Sequence, residues 1–567
     1  MMMNDIQLED CGAARVQVTV NHGVADYQVH FGELKGAARL VFSFPIVEIG
    51  HFWHPGVRQT PGIPVGWAAP LHSATNHAMP LYVFYNDRGE SQVALAVSTV
   101  HTAVEAVIGV REEDARFQVT LTFAAETTAA TVRFDTVVRA FDLAVRDGAA
   151  WLREVNGLVA APVPAAALAP MYSTWYSFHQ QMTGDQLAQE AQAFAQYGLE
   201  TIIVDDGWQT PDIARGYAYA GDWQVAKAKF PDLRQLVANF HAQGLKFMLW
   251  VSTLHIGMKT REWATFKNRL LGVDEVSQAG LLDPRYPAVR AYLCERFVGL
   301  ARQYDLDGLK LDFVDAIVGM SAPVTPDMDV ASVEDALNTL LATLQARCLA
   351  LKADFLIEFR QGYFGPEMTR YANMMRVGDC PNDYVQNRIG IAELRLVCPG
   401  TAVHSDMLMF NLQEPVAANA LQLLNALFGV IQLSVRLHEL SEAQQRMLAF
   451  WLGYQRRHRD LLYGRDVRFL APQSNYALIT ASDSKQTIMA TYTPDQVLQV
   501  PTDVDRIDVI NATGAARVTL ALPRETHWVA TQLDCTGVVQ PQQTADGVLQ
   551  VLAVPPAGLL RLRKEEG

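Results

Sequence analysis

The feature that most restricts the fold is a change of hydrophobic period near residue 170. Beyond it, short apolar runs alternate with segments patterned for amphipathic helices, the signature of βα units and a parallel sheet. Eight runs can be traced, at 171–176, 201–204, 246–251, 308–313, 355–359, 374–377, 401–404 and 430–435. The intervening helices carry their own punctuation. Thr183-Gly184-Asp185-Gln186 reads as a capping box, Leu187, Ala191 and Phe194 as its buried stripe, and Gly198 as its stop. Pro231 and Pro287 open later helices. This pattern predicts a central (β/α)8 TIM barrel over residues 171–460.

On either side the period is two. Arg15-Val16-Gln17-Val18-Thr19-Val20 and Phe117-Gln118-Val119-Thr120-Leu121 alternate polar and apolar positions, so residues 1–150 predict an N-terminal antiparallel β-sandwich. A linker is expected at 151–170, where Pro162, Pro164 and Pro170 interrupt an Ala-rich stretch. Residues 464–567 predict a small C-terminal β-sandwich, ending in a solvated tail at 563–567. The fold class is therefore multidomain. Within the first sandwich, residues 50–66 form a glycine- and proline-containing stretch whose Trp53 could reach a neighbouring site.

The chain carries 46 Lys and Arg against 60 Asp and Glu, a net charge of −14 with no basic stripe, which argues against nucleic acid as a partner. The first ten residues lack the basic and apolar regions of a leader, and no apolar run is long enough to span a bilayer. A cytoplasmic protein with no membrane partner is expected. The six cysteines show no metal-ligand spacing, so free thiols, no metal and no cofactor are expected; only Cys380, beside Asp379, lies near an expected site.

In such barrels the working residues follow the C-terminal ends of the strands. Those positions hold Trp175, Tyr176 and His179, then Asp205, Asp206 and Trp208, then Trp250, then Lys310 and Asp312, then Glu358 and Arg360, then Asp379. Carboxylates and aromatics dominate, and no Ser/His/Asp set, phosphate loop or His/Cys cluster competes with them. That mix suits a small-molecule carbohydrate. Carboxylates accept hydrogen bonds from hydroxyl pairs, indole faces pack on sugar C–H groups, and two further carboxyls can divide the cleavage of an acetal. Lys310 would keep Asp312 ionised as a nucleophile, whereas Asp379 would need a more apolar or more negative setting to hold a proton. His404 and Asp406 are expected to complete the polar rim.

Trp175, Val204-Asp205-Asp206-Gly207-Trp208-Gln209, Leu282-Asp283-Pro284, Asp307-Gly308-Leu309-Lys310-Leu311-Asp312 and Gly378-Asp379-Cys380-Pro381-Asn382-Asp383 with Arg388 occur in that order. In this they resemble the successive signatures of glycoside hydrolase family 36, the melibiase-type α-galactosidases, whose clan includes families 27 and 31. The resemblance implies a retaining double displacement with Asp312 as nucleophile and Asp379 as acid/base, their carboxyl groups about 5–5.5 Å apart. It implies that Asp205, Asp206 and Lys310 bind sugar hydroxyls while Trp175, Trp208 and Trp250 shape the pocket. It also leaves room for a homo-oligomer in which the Trp53 loop completes a neighbour's pocket.

Two stretches depart from the family pattern. Trp250 leads into Val251-Ser252-Thr253 instead of a Pro-Glu pair, and Ile357-Glu358-Phe359-Arg360-Gln361-Gly362-Tyr363 replaces a Cys-Ser-Gly-Gly-like loop. The second substitution narrows the site and adds a fixed positive charge, with Arg360 and Tyr363 as candidate substrate contacts. Three alternatives to an α-galactoside hydrolase follow. They are a glycosyl transferase of raffinose-synthase type, an α-glycosidase for an acidic sugar read by Arg360, and a non-catalytic carbohydrate-binding protein.

Overall fold

The computed structural model describes residues 4–564, except 13, 35, 57–59, 321, 364, 366, 525 and 547. The tip of the 50–66 stretch and the end of the expected C-terminal tail therefore lie partly outside the described residues.

The first region folds as two antiparallel sheets of five and eight strands. Strict alternation along Arg116–Phe123 buries every second residue. Those side chains meet Phe42, Phe44, Phe84 and Phe134 between the sheets. His51–Trp53 is not part of a free loop, because it pairs with Leu81–Tyr85 and with Thr60–Pro61. A helix, Phe141–Val155, crosses the expected boundary at 150, burying Phe141, Val145 and Leu152. It packs between the strands Leu81–Tyr85 and Glu90–Val97 on one side and the helix Tyr384–Val397 on the other.

Eight parallel strands follow: β1 (Met171–Ser173), β2 (Thr201–Val204), β3 (Lys246–Ser252), β4 (Gly308–Asp312), β5 (Leu356–Arg360), β6 (Met374–Arg376), β7 (Ala402–His404) and β8 (Gln432–Leu433). Each pairs with its sequence neighbour from β1 to β7, and β8 returns to β1 through Met171↔Gln432 and Tyr172↔Leu433. The last seam, between β7 and β8, is closed by the bridge His404↔Val430. The sheet is thus a barrel, and it has no place for a bulky residue at the start of β4. A Cβ on Gly308 would lie 2.6 Å from the Leu356 carbonyl oxygen of β5.

The final region holds sheets of seven and three strands around Ile507, Val509, Trp528 and Leu560. It is tied to the helix Phe141–Val155 by Arg468, whose Nε and Nη2 donate to the two oxygens of buried Asp142 at 2.6 and 2.8 Å. Among the described residues no helix is long and apolar enough to cross a membrane.

Candidate active site

All five residues of β4 are buried, and the period of two sends Lys310 and Asp312 to the same, inner face. Beyond Asp312 the chain turns sharply, Phe313 taking a left-handed φ of 58°. The Phe313 amide then points back and donates to Asp312 Oδ1 at 2.8 Å. The same oxygen accepts Nε of Arg360, from the end of β5, at 2.6 Å. Oδ2 accepts the indole N–H of Trp250, from β3, at 2.9 Å. Burial by itself would raise the Asp312 pKa, but Arg360, then Lys310 and the indole hydrogen bond, hold it well below the carboxylate range. Asp312 is an anion with fixed donors.

Lys310 is not its immediate partner. The ammonium sits 2.6 Å from Asp205 Oδ2, at the end of β2, and it helps to hold Asp312 ionised, as expected, with the guanidinium of Arg360 the larger influence. Asp205 in turn accepts the Asp206 amide at 2.9 Å, and its own amide donates to Thr174 Oγ1 at 2.9 Å. Asp206 is held by the side-chain amides of Gln180 and Gln209, each at 2.6 Å, while burial pushes its carboxyl up to about 6. The following Gly207 has φ 113°, and a Cβ there would lie 2.5 Å from the Gln180 Cα. Glycine is required for the chain to turn under Gln180.

The aromatics divide by depth. Trp208 is fully buried, donates to the Trp250 carbonyl at 2.8 Å and stacks on Trp223 at 6.1 Å, so it supports the site from behind instead of lining it. Trp250 is also buried and acts through its N–H on Asp312. Half-buried Tyr217 lies 6.4 Å from the Trp250 ring, 5.0 Å from His255 and 5.2 Å from Phe313. Sequence reasoning missed it, although Tyr217, Tyr219 and Trp223 make the loop after β2 unusually aromatic. Half-buried Trp175 has His179 at its edge, 5.0 Å away, and the Arg215 guanidinium over its ring at 5.1 Å.

The second candidate carboxyl, Asp379, follows β6 and remains about half exposed. Its partner is Arg376, at 2.9 Å, a residue the sequence reading did not single out. Burial favours its proton, but Arg376 and then Lys310 outweigh that and hold Asp379 below its ordinary value. This corrects the expectation of a setting that keeps Asp379 protonated. Arg376 also pairs with buried Asp406 and lies 3.7 Å from Glu358 on β5. Asp406 accepts the Tyr176 hydroxyl at 3.0 Å and the Cys380 amide at 2.7 Å, with burial pushing its pKa up. Burial likewise raises Glu358, which accepts the Gln432 amide from β8.

Three predicted contacts lie elsewhere. Trp53 is fully buried and donates to Glu393 of the helix Tyr384–Val397 at 3.2 Å, so it cannot complete a neighbour's pocket. Arg388 joins that helix to the C-terminal region, donating to the Asn475 carbonyl at 3.0 Å and lying 4.2 Å over the Tyr492 ring. Tyr363 is buried, its hydroxyl on the Leu311 carbonyl at 2.6 Å. It braces β4 from below.

The architecture is that of solved α-galactosidases. That of AgaA from Geobacillus stearothermophilus superposes with a TM-score of 0.66 at 15% identity, covering 97% of this chain and 81% of that one. TtGalA from Thermus thermophilus gives 0.56 at 16% identity, covering 84% and 98%. Among curated sequences, the α-galactosidase of Escherichia coli is 26% identical over 159 residues, 26% of this chain and 22% of that protein. α-Galactosidase 1 of Pediococcus pentosaceus is 30% identical over 126 residues, 21% and 17% respectively. Such matches span less than a quarter of the curated relatives. The family model for Melibiase, however, matches residues 166–464, more than half of the chain and the whole of the β1–β8 barrel, and the chain belongs to the melibiase family.

Proposed function

We propose that the protein is a retaining α-glycosidase acting on terminal α-galactosides, with Asp312 as nucleophile and Asp379 as acid/base. The observation that carries this reading is the lone-pair count on Asp312. A carboxylate offers two acceptor sites on each oxygen. Among the described residues Oδ1 holds two donors, from Arg360 and Phe313, whereas Oδ2 holds only the Trp250 indole. The open lone pair on Oδ2 is the one that attacks the anomeric carbon.

As that C–O bond forms, the bond to the departing oxygen breaks and Asp379 supplies the proton that leaves with it. Water then attacks the anomeric carbon, gives a proton back to Asp379, and Asp312 is released. Asp379 must therefore acquire a proton before cleavage. An aglycone covering its exposed half would strip water from the carboxylate and raise its pKa toward that of a donor. In this reading Asp205, the Lys310 beside it and Asp206 hold sugar hydroxyls. Arg360 is committed to Asp312 and lies 3.8 Å from Asp315, so its charge is already matched and the site favours a neutral sugar over an acidic one. Family membership and the α-galactosidase names of the curated relatives support galactose as that sugar.

A panel of aryl α-glycosides tests the reading. Asp312→Ala is expected to lose about 10³-fold or more in kcat, and Asp379→Ala about 10²–10⁴-fold, least with the best leaving groups. The first sugar released should keep the α configuration by NMR. Undiminished turnover in Asp312→Ala would end the assignment, and product analysis at high acceptor concentration separates hydrolysis from transfer.

A further inference from the structure

The first sandwich touches the barrel mouth at one turn. There Asn76 Nδ2 donates to the Val314 carbonyl at 3.0 Å, and Thr75 Oγ1 to Asn338 Oδ1 at 3.1 Å, so the turn is docked directly on the segment that follows Asp312. The next residue, His77, lies against Gly362, in the loop after β5. His77 Nδ1 and Asp315 Oδ2 converge there, each 3.9 Å from where a Cβ on Gly362 would sit. Asp315 Oδ2 is also 3.8 Å from Arg360 Nη1. A line of alternating groups thus runs from His77 through Asp315 and Arg360 to Asp312.

Arg360 is fixed along that line. Nη1 donates to the Gln361 carbonyl at 2.7 Å and Nε to Asp312 Oδ1 at 2.6 Å. The guanidinium carbon lies 5.2 Å from the Phe313 ring centre and 5.6 Å from that of Tyr363. Nη2, on the same edge of the planar fork as Nε, makes no hydrogen bond among the described residues. That edge of the fork is the one turned toward Asp312, because Nε on it donates to Oδ1.

We propose that Arg360 Nη2 donates to the sugar hydroxyl on the carbon next to the anomeric centre, and that Asp315 and His77 are positioning residues that hold it there. The inference rests on the glycosidase reading above. If Oδ2 attacks the anomeric carbon, Oδ1 and its guanidinium lie alongside the ring, toward either the ring oxygen or the 2-hydroxyl. Positive charge develops on the ring oxygen in the transition state, so a cation on that side would oppose the reaction. The 2-hydroxyl side is compatible with turnover, and hydrogen bonds to this hydroxyl strengthen as the transition state forms. A donor locked by an ion pair and two rings loses little entropy in making that bond.

The test compares an aryl α-galactoside with its 2-deoxy counterpart in wild type, Arg360→Lys, Asp315→Asn and His77→Gln. Comparing each variant with wild type on both substrates cancels the greater intrinsic reactivity of the 2-deoxy sugar. Arg360→Lys is expected to lose at least about 10-fold more kcat/KM on the hydroxylated substrate than on the deoxy one. Asp315→Asn and His77→Gln should show the same preference at a few-fold, with Asp315→Glu recovering part of it, effects that loss of folded protein would not produce. His77 is only half-buried, so its replacement keeps the test open should Arg360→Lys fold poorly. Equal losses on the two substrates in Arg360→Lys and His77→Gln would overturn the proposal. A wild type that turns over the galactoside in that case leaves the glycosidase reading standing; one that turns over no α-glycoside defeats both.

Discussion

Arg376 decides how Asp379 behaves. It is the closest cation to that carboxylate and holds it ionised, while Asp406 and Glu358 share the same guanidinium from the buried side. In the proposed mechanism Asp379 must be protonated to act, and a lowered pKa then places the basic limb of kcat/KM at acidic pH. Replacing Arg376 by Gln removes the lowering charge, so that limb is expected to move up by about 1–3 pH units, as measured in a pH–rate profile of the variant. An unmoved limb would mean that Arg376 does not set the proton donor. The acidic side of this chemistry was legible in the sequence, because each carboxylate ends an apolar run. The basic side was not. Met374-Met375-Arg376-Val377 reads as an apolar strand with one solvated charge, and only the closed barrel turns that side chain inward between three carboxylates. The influence of Lys310 on Asp312 was legible, but its direct contact was not, since Asp205 is 105 residues away in the chain and 2.6 Å away in space.

The strands themselves were easier to read than what packs on them. Strands of a parallel sheet covered on both sides are continuous apolar runs, and β1 to β8 all fall within or across the predicted segments. The helix Phe141–Val155 escaped because sandwich and linker were divided through its middle, yet its buried Phe141, Val145 and Leu152 recur at helical spacing. The helix Tyr384–Val397 carries a second element-scale consequence. Its Glu393 is buried with Trp53 Nε1 as donor, near Tyr85, and burial pushes the carboxyl up to about 8. The folded pKa lies above the unfolded one, so this contribution to stability is full below the unfolded value, near 4.5, and is lost as pH rises through about 8. Glu393→Gln keeps an acceptor for Trp53 without the charge. Its melting temperature should exceed that of wild type by about 2 °C or more at pH 9 and match it at pH 5. Equal melting temperatures at pH 9 would show that Glu393 is not held neutral.

At the scale of the whole molecule, each sandwich keeps a core of its own, but the three regions are also joined by a further one. A single hydrophobic cluster runs from Trp53 and Phe141 through the barrel to Trp451, Ile479 and Leu559, and the Arg468–Asp142 pair closes its edge. Sequence period separated the regions because each has its own strand pattern; it carried no sign that they are continuous, since the contacts are made by residues hundreds of positions apart. The docked turn at Thr75 to His77 has a kinetic consequence of its own. The groups described around Asp312, with the imidazole from the first sandwich among them, are supplied by a single chain, and the prediction for the proposed glycosidase is therefore a specific activity independent of dilution. Specific activity measured from micromolar down to picomolar enzyme, with carrier protein to prevent adsorption, is expected to stay constant, and a fall at low concentration would reveal a borrowed residue.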